Sequence, residues 1–205
     1  MKVGRFTTQF QYSMILLILV NISPSRALAQ AGHSHTLTTQ HNQLTPGQRT
    51  NAATLLKIVR ESTERFQDVS VAETEGYVLQ FGCVSGSDTG AMGLHYVNGA
   101  LVSSGILDAT HPQIVIYEPM PNGRPRLIGA DYLVLADTWN ATHSSPPELM
   151  GQLFHLFESP NRFGLPAFYT LHVWAWKENP NGAFVNWHPD VSCEPFSGQN
   201  PESRR

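Results

Sequence analysis

From residue 77 onward the sequence changes period, and that change limits the fold more than any other feature. The segments YVLQFGCV (77–84), AMGLHYVN (91–98), QIVIYE (113–118), RLIGADYLVLA (126–136) and LHVWAWK (171–177) are rich in β-branched and aromatic residues. Such residues suit a pleated, half-buried surface and predict strands. Turn chemistry separates them. Ser85-Gly86-Ser87-Asp88-Thr89-Gly90 is a loose hairpin connection, and Pro119-Met120-Pro121-Asn122-Gly123 carries the Asn-Gly signal of a tight one. Short links imply antiparallel neighbours.

Ahead of the strands the period is helical. Thr45-Pro46-Gly47-Gln48 reads as a capping box with proline at the first helical position. Ala52, Leu55, Leu56, Val59 and Phe66 then recur on one face. A short second helix is expected from Asp68 to Gly76, and Ser145-Pro146-Pro147-Glu148 repeats the capping logic and predicts a helix through about Phe157. Asn179-Pro180-Asn181-Gly182 turns the chain after the last long strand. The expected fold is α+β: a curved, mostly antiparallel sheet of about five strands packed with one amphipathic N-terminal helix and a short second helical region.

The first residues read as an address. Lys2 and Arg5 precede a short apolar run, residues 14–22, and Ala27-Leu28-Ala29 supplies the small-x-small pattern of a signal-peptidase site. The run is about nine residues, well short of the roughly 20 that a spanning helix needs. Residues 1–29 are therefore expected to be a cleaved signal peptide, with the mature protein secreted or periplasmic. Residues 30–44 read as a polar leader in which His33, His35 and His41 offer at most loose metal capture. Residues 45–196 form the single globular domain, and 197–205 are expected to be a disordered tail. In an oxidising compartment Cys83 and Cys193, the two cysteines of the chain, read first as a disulfide.

Composition removes several functions. Only 14% of residues are charged, net charge is −3, and no basic cluster offers the electrostatic footprint of a nucleic-acid binder. There is no Gly-x-Ser-x-Gly, His-Glu-x-x-His, Gly-x-x-x-x-Gly-Lys or Gly-x-Gly-x-x-Gly between strand and helix. Common hydrolase and nucleotide chemistries are thereby disfavoured, and whether the protein is an enzyme stays open.

Four ionisable residues stand inside the apolar strands: His95, Glu118, Asp131 and His172. A polar group in a buried strand costs free energy unless it is paired or bound. Strand alternation sets His95 with Gly93 and Val97, Asp131 with Gly129 and Leu133, and His172 with Trp174 and Trp176. If those faces converge, two imidazoles and one or two carboxylates form a set suited to a divalent transition metal with an open position. A structural hydrogen-bond network and metal-free acid–base chemistry would use the same groups. His188, in a loop, is an outside candidate. A second kind of site is a metal-free pocket for a small apolar ligand lined by Tyr96, Tyr132, Trp174 and Trp176, and a third reading is an interaction protein with no site. The expected partners are a small molecule or a metal ion, with no nucleic acid and no membrane anchor once the signal is cleaved.

The segments MGLHYVN (92–98), YEP followed by LIGADYLV (117–134), and LHVWAWKENPNG (171–182), with a late cysteine, resemble a group of exported bacterial proteins of unknown function. The resemblance implies export and a single domain, and supplies no activity. In that group Glu often stands where this chain has Asp131, and Asn where it has His188. The resemblance therefore favours a ligand role at 131 and sets His188 apart.

Overall fold

A computed structural model describes residues 44–196. The expected signal peptide, the leader up to residue 43 with its three histidines, and the tail from residue 197 lie outside the described residues. Helix α1 (Pro46–Thr63) opens with the capping box anticipated: the Gln48 amide donates to Thr45 Oγ1 (3.2 Å), and the Thr45 amide donates to Gln48 Oε1 (2.8 Å). A 3₁₀ turn (Glu64–Gln67) leads to α2 (Val69–Thr74), capped by the Asp68 side chain accepting from the Ser70 amide. Then come β1 (Tyr77–Ser85), β2 (Ala91–Asn98), α3 (Gly99–Ser104), β3 (Ile114–Glu118), β4 (Arg126–Leu135) and α4 (Ala136–Asn140). The short strands β5 (Glu148–Leu149), β6 (Gln152–Leu153) and β7 (His155–Phe157) precede β8 (Phe168–Val173).

The fold is α+β. One sheet has the order β1-β2-β3-β4-β8-β7, every pairing antiparallel, and β5–β6 form a separate hairpin. Six strands thus stand where about five were expected, the sixth being β7.

The helix expected over 146–157 does not form, for local reasons. Pro146 precedes Pro147, and the residue before a proline is pushed out of the α region. Met150 and Gly151 both have positive φ (50° and 80°) and make the two-residue connection between β5 and β6. Two left-handed residues in succession are the backbone of a tight hairpin turn.

The sheet carries different chemistry on its two faces. On one, Leu55 and Val59 of α1 pack against Ala130, Tyr132, Val134, Leu171 and Val173, and Phe66 packs near Tyr77, Tyr96 and Tyr117. Tyrosine hydroxyls tether the surrounding chain: Tyr117 donates to the Phe66 carbonyl (2.7 Å) and Tyr132 to that of Ala109 (2.6 Å). The opposite face gathers Ile114, Ile116, Ile128, Leu133, Phe168 and Trp174. The Cys83–Cys193 disulfide (S–S 2.01 Å) joins β1 to the C-terminal segment across 110 residues. Among the described residues, no helix is long and apolar enough to cross a membrane.

Two glycines permit the close approaches that curve the sheet. A Cβ on Gly93, whose φ is +92°, would lie 2.6 Å from the Tyr117 carbonyl oxygen, and one on Gly129 would lie 2.5 Å from that of Val173. Real side chains do not tolerate such distances, so both positions require glycine.

Candidate metal centre

His95, Asp131 and His172 project from β2, β4 and β8 on the sheet face opposite α1. Asp131 is directly paired with His172 across β4 and β8. His95 stands one strand further away, paired with Ile116 on β3, and the curved sheet closes that gap. The two imidazole centroids are 5.8 Å apart, and one ligating atom from each of the three residues lies within 4.8 Å of the others. His95 is 5% exposed, Asp131 and His172 2% each. The arrangement could hold a metal ion.

Local hydrogen bonds orient two of the three groups. His95 Nδ1 lies 3.1 Å from the Gly93 carbonyl. With the proton on Nδ1 donated to that oxygen, the Nε2 lone pair is free, the tautomer that a carbonyl accepting from the other ring nitrogen imposes on ligating histidines. Asp131 Oδ1 accepts from Thr170 Oγ1 (2.5 Å), and the Leu171 amide also supports the carboxylate. His172 is different. Both of its ring nitrogens and Asn186 Oδ1 are buried without a well-formed hydrogen bond, and the Asn186 side chain is the polar group beside the imidazole. Its Nδ1 stands 3.7 Å from Asp131 Oδ1, beyond hydrogen-bond range.

Burial dominates the electrostatics. It pushes Asp131 up to about 6, against the pull of the Thr170 hydroxyl, His95 and the Leu171 amide. It pushes His95 down to about 4, assisted by His172 and opposed by Asp131 and the Gly93 carbonyl. His172 falls to about 3, mainly by burial and further by the nearby His155, with the Asn186 side chain pulling weakly the other way. At neutral pH the set is two neutral imidazoles with lone pairs and one carboxylate. Metal ligation requires those protonation states.

An apolar wall adjoins the three residues. Phe81, Met92, Phe157, Phe163, Leu165 and Phe168 enclose a cavity of about 30 Å³ against them. Phe163 and Leu165 belong to the loop between β7 and β8, which Asn161 organises: its Oδ1 accepts from both their amides, and its Nδ2 donates to the Leu165 carbonyl (2.9 Å).

The other sequence candidates lie apart. Glu118 is ion-paired with Lys177 (2.7 Å) and with Arg126. Burial raises its carboxyl, but hydrogen bonds from those two cations outweigh that and leave it below the usual carboxylate range. It is a satisfied charge outside the three-residue cluster. His188 is enclosed and paired at both nitrogens, Nε2 with the Glu178 carbonyl (3.0 Å) and Nδ1 accepting from the Asp190 amide (3.1 Å).

The four aromatic candidates do not face one another. Tyr96 and Tyr132 pack on the helical side. Trp174 lies on the metal-centre side with His172 and His188. Trp176 does not share the face of Trp174 as alternation predicts. The Ala175 amide bonds back to the Val173 carbonyl (2.9 Å), a tight turn that ends the strand. Trp176 Nε1 then donates to Thr63 Oγ1 on α1 (2.9 Å).

Sequence reasoning missed Thr170, Asn186 and the cavity residues Phe81, Phe157 and Phe163. Only Thr170 carried a readable signal, since it sits two residues before His172 on the same strand face. No protein-family model, no curated protein and no solved structure matches the chain.

Proposed function

We propose that this is an exported protein that binds a single divalent transition metal through His95, Asp131 and His172, leaving at least one coordination position open. The observation that carries the reading is His172. Its enclosed imidazole faces a buried carboxylate and, apart from the Asn186 side chain beside it, has no hydrogen-bonding group to serve it among the described residues, and an unsatisfied buried group costs about 1–3 kcal/mol. A metal turns that cost into ligation. Two histidines and one carboxylate with open positions suit zinc or non-haem iron. The ligands sum to one negative charge, so a divalent ion would leave the centre with a net positive charge and a Lewis-acidic face toward the cavity.

The disulfide supports an oxidising compartment, and the charged start, short apolar run and Ala27-Leu28-Ala29 support export by a cleaved signal. Kinship with the group of exported bacterial proteins belongs to the same proposal and rests on the three shared segments. N-terminal sequencing of exported material should begin near Gln30, and material beginning at Met1 would remove the export reading.

The test of the metal reading is elemental analysis of untagged protein from its native compartment, with melting curves of the metal-free protein. One equivalent of zinc, iron, manganese, cobalt, nickel or copper should raise the wild-type midpoint and leave a His172→Ala variant unmoved. A wild-type curve indifferent to all six would exclude the site.

A further inference from the structure

The cavity against the metal ligands borders a second one. Phe81, Ile114, Leu133 and Leu165 line both that cavity and a second, larger one of about 300 Å³, which runs on past Val97, Val102 and Leu135. The larger space has the volume of a small-molecule site. Its lining contains no charged side chain; Gln80 and Ser103 are its polar residues. The two spaces are thus neighbours through a shared apolar partition, with the His95–Asp131–His172 set on the inner side.

Phe81 stands at that partition in a conformation that needs explaining. Its φ is +63°, the left-handed region, and it sits in the bulge where β1 skips from Gln80 to Cys83 against β2. That region strains a bulky side chain. The bulge does not bury the ring: Phe81 remains 47% exposed and meets Phe163 edge-on at 5.4 Å. A strained backbone that keeps a phenylalanine half in water, between two cavities, is poor packing and a sensible binding wall.

We infer that the groove and the inner cavity together form one binding site, for a small molecule with an uncharged, largely aliphatic body whose polar end reaches the open position of the metal. The inference rests on the metal reading for the polar end alone. A charge on the part of the ligand that lies in the groove is disfavoured because the groove walls offer no counter-charge to replace lost hydration. The aliphatic part is favoured because the walls of Phe81, Val97, Val102, Leu133, Leu135 and Leu165 gain only when apolar surface covers them.

The probe is a homologous series of primary n-alcohols, ethanol to 1-octanol, titrated into the full mature protein with and without bound cobalt(II). Affinity read from the melting midpoint should rise about three- to fourfold per methylene until the groove is full. The visible absorption of the bound cobalt should change along the same titration. Gly99→Phe supplies the control: Gly99 lines the groove, and a Cβ there meets no atom within 4 Å, so the larger side chain has room. That variant should lose most of the chain-length dependence.

A flat series in both forms overturns the proposal; a dimer in sedimentation alongside it would give the groove to a second copy. A steep series that leaves the cobalt spectrum untouched overturns the link to the metal. Failure of cobalt to bind sinks the metal reading alone. It is told apart by the metal-free series, in which a steep dependence keeps the groove and a flat one removes it.

Discussion

Replacing His172 with leucine should make the metal-free protein more stable while abolishing metal binding. The side chains are similar in volume, and volume-conserving swaps in a core cost less than about 1.5 kcal/mol. Against that, the change deletes two enclosed ring nitrogens without a well-formed hydrogen bond, worth up to roughly 1–3 kcal/mol each of uncompensated desolvation, and takes the imidazole from beside Asn186. Asp131 is not orphaned, because the Thr170 hydroxyl and the Leu171 amide still serve it. The balance favours the variant by about 1–3 kcal/mol. For a domain of this size that raises the melting midpoint by roughly 2–10 °C. Calorimetry in chelator reads the midpoint, and a titration with zinc reads the loss of binding. A variant destabilised by about 2 kcal/mol or more, the range of a damaged core, would refute the reasoning, since His172 would then be holding the core together.

Three further outcomes follow from the same contacts. The double Cys83→Ser, Cys193→Ser variant should lose on the order of 4–5 kcal/mol, because the bond closes a 110-residue loop; denaturant melts check this, and two free thiols in the unfolded, unreduced wild type would contradict it. Glu118→Gln should cost about 1–2 kcal/mol through its half-buried pairs with Lys177 and Arg126, yet keep full metal stoichiometry, and loss of metal in that variant would place Glu118 in the site. The metal-free protein should weaken in acid. The two imidazoles titrate near 6.5 when unfolded but near 4 and 3 in the fold, so their contribution is whole above pH 6.5 and lost as pH falls. Asp131 acts oppositely, with a folded value near 6 above its ordinary value of 3.8, so its contribution is lost as pH rises through that window. Two groups outweigh one, and about 3 kcal/mol should disappear between roughly pH 7 and 4.5; a melting midpoint flat across that range would refute the burial of the pair.

How much of this was legible in the sequence depended on whether the backbone stayed regular. The five long strands and α1 were readable because residue type, period and caps agree there. The segment 146–157 misleads because Ser-Pro-Pro-Glu carries the letters of a helix cap, while Pro147 keeps Pro146 out of the α region and Met150 and Gly151 turn the chain through left-handed φ. The site residues were visible as ionisable groups in apolar strands, but their meeting depends on the curvature that Gly93 and Gly129 permit. Two irregularities hid the rest. The bulge at Phe81 places its ring between the two cavities, and the turn at Ala175 sends Trp176 to the helix. Neither breaks the letter pattern that alternation reads.

The sheet handles two buried acids in different ways, and the contrast adds to the case for a cation at the second. Glu118 ends β3 with Lys177 and Arg126 against its two oxygens. Asp131 lies deeper, in the middle of β4, and among the described residues no lysine or arginine pairs with it. Its charged-capable neighbours are histidines that burial holds neutral. A structural carboxylate at that depth would be cheaper as a leucine. An acid kept there without a protein cation, ringed by two imidazoles whose lone pairs point inward or go unused, is short of one positive charge and has the donors to hold it. Substituting Asp131→Asn tests this directly: the metal-free midpoint should rise or hold, because the amide removes the buried charge and can still accept from Thr170, while metal affinity should fall by about tenfold or more, the range seen when a metal's immediate surroundings are altered. A D131N variant that bound metal as tightly as wild type would show that the carboxylate was never part of the site.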